Sequence, residues 1–255
     1  MKVVFPIAGR GSRFQKVAQL RPEFARPKPL IEAAGKPMVA WAIETVRRMV
    51  AIKSKDCVFV CLQEHEDQYE ISKKLREIVG PGITVYFTPE VTEGAACTAL
   101  LAKPSINTDE DVLFMDCDHF ILCEKFQQAR DAAIREGIAG LIPTIESTNP
   151  AFSYSQTDEH GNVIRTAEKE LISTHASVGI YYFTHGKDFV WAAEQMIKEN
   201  LRHGPSREFY MCPVYNELIQ DGKLVKIVSA EVWLTLGTPD DLDAFVKSEY
   251  AVRYR

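Results

Sequence analysis

The sequence of 255 residues has no run of about 18 apolar residues, so we expect no membrane-spanning helix. Its N-terminus lacks the charged and apolar blocks of a signal peptide. No C-x-x-C pair occurs among the six cysteines, which argues against a zinc site and against a secreted disulfide framework. We therefore expect a cytoplasmic protein whose cysteines are buried thiols.

An overall excess of positive charge is also absent, because the net charge is -5. The chain as a whole has no general attraction to nucleic acid or to anionic membranes. Positive residues are concentrated near the N-terminus: Arg10, Arg13, Lys16, Arg21, Arg26, Lys28 and Lys36. A site for a polyanionic ligand is therefore expected in this part of the chain.

Apolar strands alternate with amphipathic helices over the first half of the chain. The runs MKVVFPIA, CVFVCL (57–62), ITVYF (83–87) and DVLFM (111–115) are typical of buried strands, and helices are predicted between and after them, the last ending at Gly137. This alternation predicts an α/β fold with a mainly parallel central sheet flanked by helices.

From about residue 138 the pattern changes to consecutive strands. IAGLIPTI, FSYSQTD, GNVIRTAEK and ASVGIYYF predict a β-rich part, and helices return at 187–200 and 208–220. No repeat or Pro/Gly/Ser-rich linker separates the two halves, and 46% of the residues are apolar, so we expect residues 1–255 to form a single domain.

The stretch AGRGSRF places Gly9 and Gly11 in a turn directly after the first strand. Such a turn can direct backbone N–H groups at phosphate oxygens, and Arg13 would add a positive charge. Taken alone, the turn fits an ordinary strand-to-loop connection with a solvent-facing arginine equally well. A dinucleotide-binding turn is disfavoured, because Phe14 occupies the position of the third glycine in G-x-G-x-x-G.

A second cationic element follows in the segment RPKPL. Pro27 and Pro29 stiffen the backbone on both sides of Lys28, so that one ammonium group is held in place. Together, AGRGSRF, PKPL and GKPM resemble the nucleotidylyltransferases that join a sugar 1-phosphate to a nucleoside triphosphate (NTP) and release pyrophosphate. The resemblance continues through EGAACTAL, FMDCDHF, AEKELIS, SVGIYYF, EFYMCPVYNELI and LGTPDDL, and so covers essentially the whole chain.

This resemblance implies a GT-A-like, Rossmann-like nucleotide-binding fold with a β-rich acceptor-side elaboration. Residues 1 to about 137 would bind the NTP, and about 138–255 would bind the acceptor. The implied NTP contacts are the catalytic Arg13 and Lys28, with Ala8, Gly9, Gly11 and Gly94. The implied acceptor contacts are Glu168 to hydroxyls, Lys169 to the phosphate, and Gly179, which leaves room for the ring. From the residues alone, Gly94 fits a helix-start glycine, and Glu168 with Lys169 fits a surface ion pair.

Asp118 lies in DCDHF, just after the strand at 111–115. The carboxyl edge of a parallel sheet is where ligands bind, and a hard carboxylate there suits Mg2+ that carries a triphosphate. An aspartate at a strand end can equally be a cap. The resemblance places the metal ligand at Asp118, with Asp116 as a second candidate.

Two positions depart from the family pattern. Thr235 stands where the family has its second metal aspartate, so that contact is expected from Asp116, Asp240, Asp241 or water. Arg10 replaces the second glycine that most relatives have in the turn. Other polar and aromatic residues are interpreted structurally: His65 and His119 as solvent-facing or supporting groups, and Tyr210 as part of the core.

These features predict an Mg2+-dependent nucleotidylyltransferase whose partners are an NTP and a phosphorylated small-molecule acceptor, with no nucleic acid and with a homo-oligomer allowed. One alternative is a glycosyltransferase of the same fold that uses D-x-D to hold a metal. It explains Asp116 and Asp118 but not GRGSR and PKPL. A second alternative is a catalytically weak nucleotide-sensing protein, suggested by Thr235.

Overall fold

The computed structural model describes residues 1–254. Its strands are β1 Lys2–Pro6, β2 Glu32–Ala33, β3 Lys36–Pro37, β4 Cys57–Leu62, β5 Thr84–Thr88, β6 Val112–Met115, β7 His119–Leu122, β8 Gly140–Glu146, β9 Ser153–Thr157, β10 Val163–Glu168, β11 His175–Ser177, β12 Ile180–Phe183, β13 Val225–Ser229 and β14 Val232–Thr235. Its α-helices are α1 Ser12–Gln15, α2 Met38–Met49, α3 Gln63–Tyr69, α4 Ile71–Val79, α5 Ala95–Leu100, α6 Lys103–Ile106, α7 Phe126–Glu136, α8 Gly186–Lys198, α9 Val214–Gln220, α10 Pro239–Val246 and α11 Glu249–Arg253. Short 3-10 helices lie at Pro22–Phe24, Lys28–Leu30 and Ser54–Asp56. Within residues 1–254, no helix is both long enough and apolar enough to cross a membrane.

A ten-stranded sheet forms the centre of the fold. Its order is β10-β9-β11-β8-β12-β6-β1-β4-β5, and β13 pairs with β8. The strands β6, β1, β4 and β5 run parallel, whereas β12 pairs antiparallel with β6 and continues into the antiparallel β8, β11, β9 and β10. This arrangement confirms the predicted α/β fold with its parallel central strands and β-rich second part.

Both faces of the central strands are covered. In β1, Val3 and Phe5 face a core built with α2, α4 and α7, whereas Val4 faces a core built with α5, α8 and α9. Burial on both faces is why these strands are continuous apolar runs instead of alternating ones. One continuous sheet joins the two parts of the chain that were expected to divide near residue 137, because β6 pairs with β12. The assignment of these parts to the two substrates stays a prediction.

The strand order places the substrate-binding edge. The chain runs from β1 to β4 and β5 on one side and then crosses to β6 on the other side of β1. Ligands of such sheets bind outside the carboxyl ends of the strands where the strand order reverses. β1 ends at Pro6, just before the glycine turn, and β6 ends at Met115, just before Asp116. The topology thus brings the predicted phosphate and metal segments together.

Apart from the central sheet, β7 and β14 form a two-stranded ribbon, which was not predicted from the sequence. They pair antiparallel, with His119 opposite Thr235. Behind them, Trp41, Phe120 and Phe245 form a third core with edge-to-face and tilted ring contacts. This ribbon positions the residues around Asp118.

Three predicted elements are interrupted. The helix expected after β4 divides at Glu70, which has a left-handed φ of 48°. The strand ASVGIYYF divides at Gly179, where φ is 82°. The helix expected from 208 begins only at Val214, which leaves Tyr210 in the preceding loop. The cysteines are free, and all but the half-buried Cys97 are buried, as expected.

Candidate active site

A cavity of about 650 Å³ opens at the carboxyl edge of the parallel strands. Most of the predicted site residues line it: Gly9, Arg13, Lys28, Asp116, Asp118, Glu168, Lys169 and Gly179. They come from segments that are far apart in the chain, so the fold assembles the predicted set in one place. Their individual roles stay predictions.

The other three predicted positions, Ala8, Gly11 and Gly94, support the wall. Ala8 is buried. Gly11 has a left-handed φ of 65°, and a Cβ there would lie 2.9 Å from Lys28 Cβ. Gly94 is the N-cap of α5, and a Cβ there would lie 2.3 Å from the carbonyl oxygen of Phe209. Both glycines therefore allow another segment to approach the backbone closely.

Lys28 and Asp118 form an ion pair at the floor of the cavity. Lys28 Nζ donates to Asp118 Oδ2 at 2.5 Å, and about a fifth of each side chain is exposed. Burial by itself lowers the pKa of the Lys28 ammonium, but the charge of Asp118 reverses this and the net pKa is raised. Burial likewise opposes ionisation of Asp118, but the positive charge of Lys28 holds its pKa well below the usual range. The predicted triphosphate lysine thus contacts the predicted metal ligand.

The pKa of Asp116 is shifted in the opposite direction from that of Asp118. Burial, followed by the negative charge of Asp118, raises the pKa of Asp116 to about 7. Two crowded carboxylates of this kind suit a hard divalent cation, whose charge would favour ionisation of both. Within residues 1–254, no group of three or more His, Cys, Asp or Glu side chains is arranged to hold a metal ion. Mg2+ commonly takes one or two carboxylates and completes its ligands with phosphate and water, which fits the pair.

His119, which the sequence left as a supporting group, faces this pair. Trp233 Nε1 donates to His119 Nδ1 at 3.2 Å, and burial lowers the pKa of the imidazole. A neutral ring that accepts at Nδ1 carries its proton on Nε2, which lies 3.4 Å from Asp118 Oδ1. A Cβ at Gly179 would lie 2.5 Å from His119 Cδ2. A side chain at this position would thus meet His119, and the expected role of Gly179 beside an acceptor ring stays a prediction.

Two of the residues that were expected to replace the family's second metal aspartate, Asp240 and Asp241, follow Thr235 in the chain. Asp241 lines the cavity, whereas Asp240 is exposed. A Cβ at Gly237 would lie 3.1 Å from Asp118 Oδ2, 3.7 Å from Arg13 Nη1 and 3.8 Å from Asp241 Oδ2. Arg13, Asp118 and Asp241 thus converge beside Gly237.

The opposite wall carries the predicted acceptor residues. Ser153 Oγ donates to Glu168 Oε2, and burial raises the pKa of the Glu168 carboxyl. Lys169 Nζ donates to the hydroxyl of Tyr210 at 2.8 Å. The expectation that Tyr210 belongs to the core is wrong, because the residue precedes α9 and its side chain lines the cavity. Helical spacing alone suggested a helix that does not extend this far.

The sequence model of the family described as nucleotidyl transferase matches residues 7–249. The chain belongs to this family. The matched region extends across both walls of the cavity, from the glycine turn to the residues after α10.

Two proteins of similar sequence have names that describe their function. The low-salt glycan biosynthesis nucleotidyltransferase of Haloferax volcanii is 24% identical over 95% of this chain. The catalytic subunit beta of mannose-1-phosphate guanylyltransferase from Drosophila melanogaster is 24% identical over 92% of it. The chain spans 64% and 62% of the length of these two relatives.

A solved structure of similar fold is that of the nucleoside-diphosphate-sugar pyrophosphorylase from Vibrio cholerae RC9. It superposes with a TM-score of 0.76 at 21% sequence identity, over 96% of this chain and 100% of that one. This likeness shows that the two proteins share a fold.

Proposed function

We propose that the protein is an Mg2+-dependent nucleotidylyltransferase that joins a phosphorylated acceptor, a sugar 1-phosphate, to an NTP and releases pyrophosphate. The observation that carries the proposal is the composition of one cavity, where the cations Arg13 and Lys28 from the N-terminal part meet Lys169 from the β-rich part, together with two carboxylates. The family membership and the names of the relatives support the same chemistry.

In this reaction a phosphate oxygen of the acceptor attacks the α-phosphorus of the NTP in line. A new phosphorus–oxygen bond forms, the bond from the α-phosphorus to the bridging oxygen breaks, and pyrophosphate leaves with its electron pair. Both reactants are anions, so alignment and neutralisation account for most of the catalysis. Arg13 and Lys28 would bind the triphosphate, and Lys169 would hold the attacking phosphate.

Asp118 would hold Mg2+, with Asp116 as the second candidate. When bound, the cation would neutralise charge on the phosphate oxygens. The Lys28 ammonium, which donates to Asp118 in this structure, would contact the triphosphate.

The test is a matrix of the NTPs against sugar 1-phosphates and smaller phosphorylated alcohols, assayed for pyrophosphate with and without excess chelator. We expect one acceptor class to yield pyrophosphate in step with a nucleotide-linked product, and chelator to abolish turnover. Release of a nucleoside diphosphate from a nucleotide sugar, without pyrophosphate, would instead identify the glycosyltransferase. Tight NTP binding with no product from any pair would identify the sensing protein, and both results contradict the proposal.

A further inference from the structure

Tyr210 has a fixed backbone because the loop before it is attached to the opposite wall of the cavity. The amide of Phe209 donates to the carbonyl of Glu93 at 3.0 Å, and the Phe209 carbonyl accepts from Ala96 at 3.0 Å. The bare backbone of Gly94 permits this approach. Within the loop, His203 and Glu208 pair in both directions. The residue after Phe209 therefore follows a backbone segment that is hydrogen-bonded to the opposite wall.

The side chain of Tyr210 is held as firmly. Its hydroxyl forms a hydrogen bond with Ser206 Oγ, and Gly204, with a left-handed φ of 63°, brings its backbone against the ring, since a Cβ there would lie 3.2 Å from Tyr210 Cε2. The hydroxyl accepts from Lys169 Nζ, so its own proton is left for Ser206. The ring is consequently fixed at both its edge and its hydroxyl.

Lys169 is the residue that this arrangement restrains. Its backbone has a left-handed φ of 54°, uncommon outside glycine, and its amide donates to Phe152 at 3.0 Å. Its Nζ lies 2.8 Å from the Tyr210 hydroxyl and 4.8 Å from the ring centroid. A lysine side chain loses rotamer entropy when it is ordered on a ligand, so a preformed contact of this kind reduces the cost of binding.

The chemistry of the contact suits anion binding. Tyr210 is a neutral partner, so it orients the ammonium without cancelling its charge, whereas the partner of Lys28 is a carboxylate. An ammonium has three N–H donors, and Tyr210 uses one. The other two are left for phosphate oxygens.

We propose that Tyr210 is a positioning residue that holds the Lys169 ammonium ready for the phosphate of the acceptor, a role that rests on the proposed function. Tyr210→Phe keeps the ring and removes the hydroxyl. We expect the KM for the acceptor to rise about tenfold, because a hydrogen bond to a charged group is lost, while the KM for the NTP stays unchanged.

A double-mutant cycle separates positioning from a structural role. In a Lys169→Met background, Tyr210→Phe should have no further effect on the acceptor KM, because its effect is transmitted through the ammonium. Tyr86→Phe is the matched control. It removes a hydroxyl that forms a 2.8 Å hydrogen bond with Ser105 Oγ, and neither residue lines the cavity. It should leave both KM values unchanged. An unchanged acceptor KM in Tyr210→Phe, or additive effects in the cycle, would overturn the proposal.

A second measurement makes failure of this inference distinguishable from failure of the proposed function. With isotope-labelled lysine, the ammonium NMR signal of Lys169 is assigned by its loss in Lys169→Met. We expect the signal to persist in the wild type and in Tyr86→Phe, and to be lost by fast exchange in Tyr210→Phe. Absence of pyrophosphate release with this NMR result would refute the function and keep the contact, whereas pyrophosphate release with an unaltered signal in Tyr210→Phe would refute the positioning role.

Discussion

The two lysines predicted to meet substrate phosphates have different partners. Lys28, on the nucleotide side, is paired with the Asp118 carboxylate at 2.5 Å. Lys169, on the acceptor side, donates to the neutral hydroxyl of Tyr210 at 2.8 Å. Lys28 is thus in an ion pair, whereas Lys169 forms none with the residues that the structure describes. Lysines on the two walls of one cavity therefore differ in whether their hydrogen-bond partner is charged or neutral.

The difference indicates what each substrate must do on binding. On the nucleotide side, a triphosphate would have to compete with the Asp118 carboxylate for the Lys28 ammonium. On the acceptor side, an anion meets an oriented charge with no ion pair to break. Changes to the two walls should therefore affect different substrates and different properties of the protein.

The largest expected effect follows from Asp118→Asn. This change keeps the shape of the side chain and removes the charge that would hold Mg2+, so we expect the rate to fall at least about a hundredfold and the Mg2+ dependence to weaken. Asp116→Asn should be the milder change. Rates measured over a range of Mg2+ concentrations check this, and an Asp118→Asn enzyme with wild-type rate and metal dependence would remove Asp118 from the site.

The next prediction compares the effects of replacing Lys28 and Lys169 on the free energy of unfolding. Lys28→Met should cost about 2 to 3 kcal/mol of transition-state stabilisation. It should also lower the free energy of unfolding by about 1 to 3 kcal/mol, because Asp118 loses its charged partner. Lys169→Met should lower the free energy of unfolding by less than about 0.5 kcal/mol.

Urea unfolding of both variants measures this difference. The double variant Lys28→Met/Asp118→Asn should regain part of the lost stability, because no unpaired charge then remains. Equal stability losses for Lys28→Met and Lys169→Met would show that the ion pair makes no special contribution.

A smaller effect concerns pH. Because burial and Asp118 raise the pKa of Asp116 to about 7, the folded protein keeps a proton that the unfolded chain releases. The contribution of Asp116 to stability is therefore lost as pH rises from about 4 to about 7. In chelator, the stability of the wild type relative to Asp116→Asn should decline across this range, as measured by denaturant unfolding. The exposed Asp240→Asn is the control, and a constant difference for Asp116→Asn would contradict the shift.

The sequence predicted the central strands well because their signal is local. A continuous apolar run identified β4 at its observed bounds, Cys57–Leu62. The ribbon of β7 and β14 was missed, since His119 and Thr235 are paired across more than a hundred positions by tertiary packing. The same reason explains the site: Lys28 and Lys169 carried recognisable motifs, whereas the role of Tyr210 depends on a loop docked against Gly94.

The most direct test of the difference between the two walls is steady-state kinetics of Lys28→Met and Lys169→Met with both substrates varied. We expect Lys28→Met to lower kcat/KM for the NTP with little change in the acceptor KM. Lys169→Met should raise the acceptor KM by more than about tenfold, because the whole ammonium is removed, and leave the NTP KM unchanged. Both variants weakening the same substrate would contradict the assignment of one lysine to each phosphate.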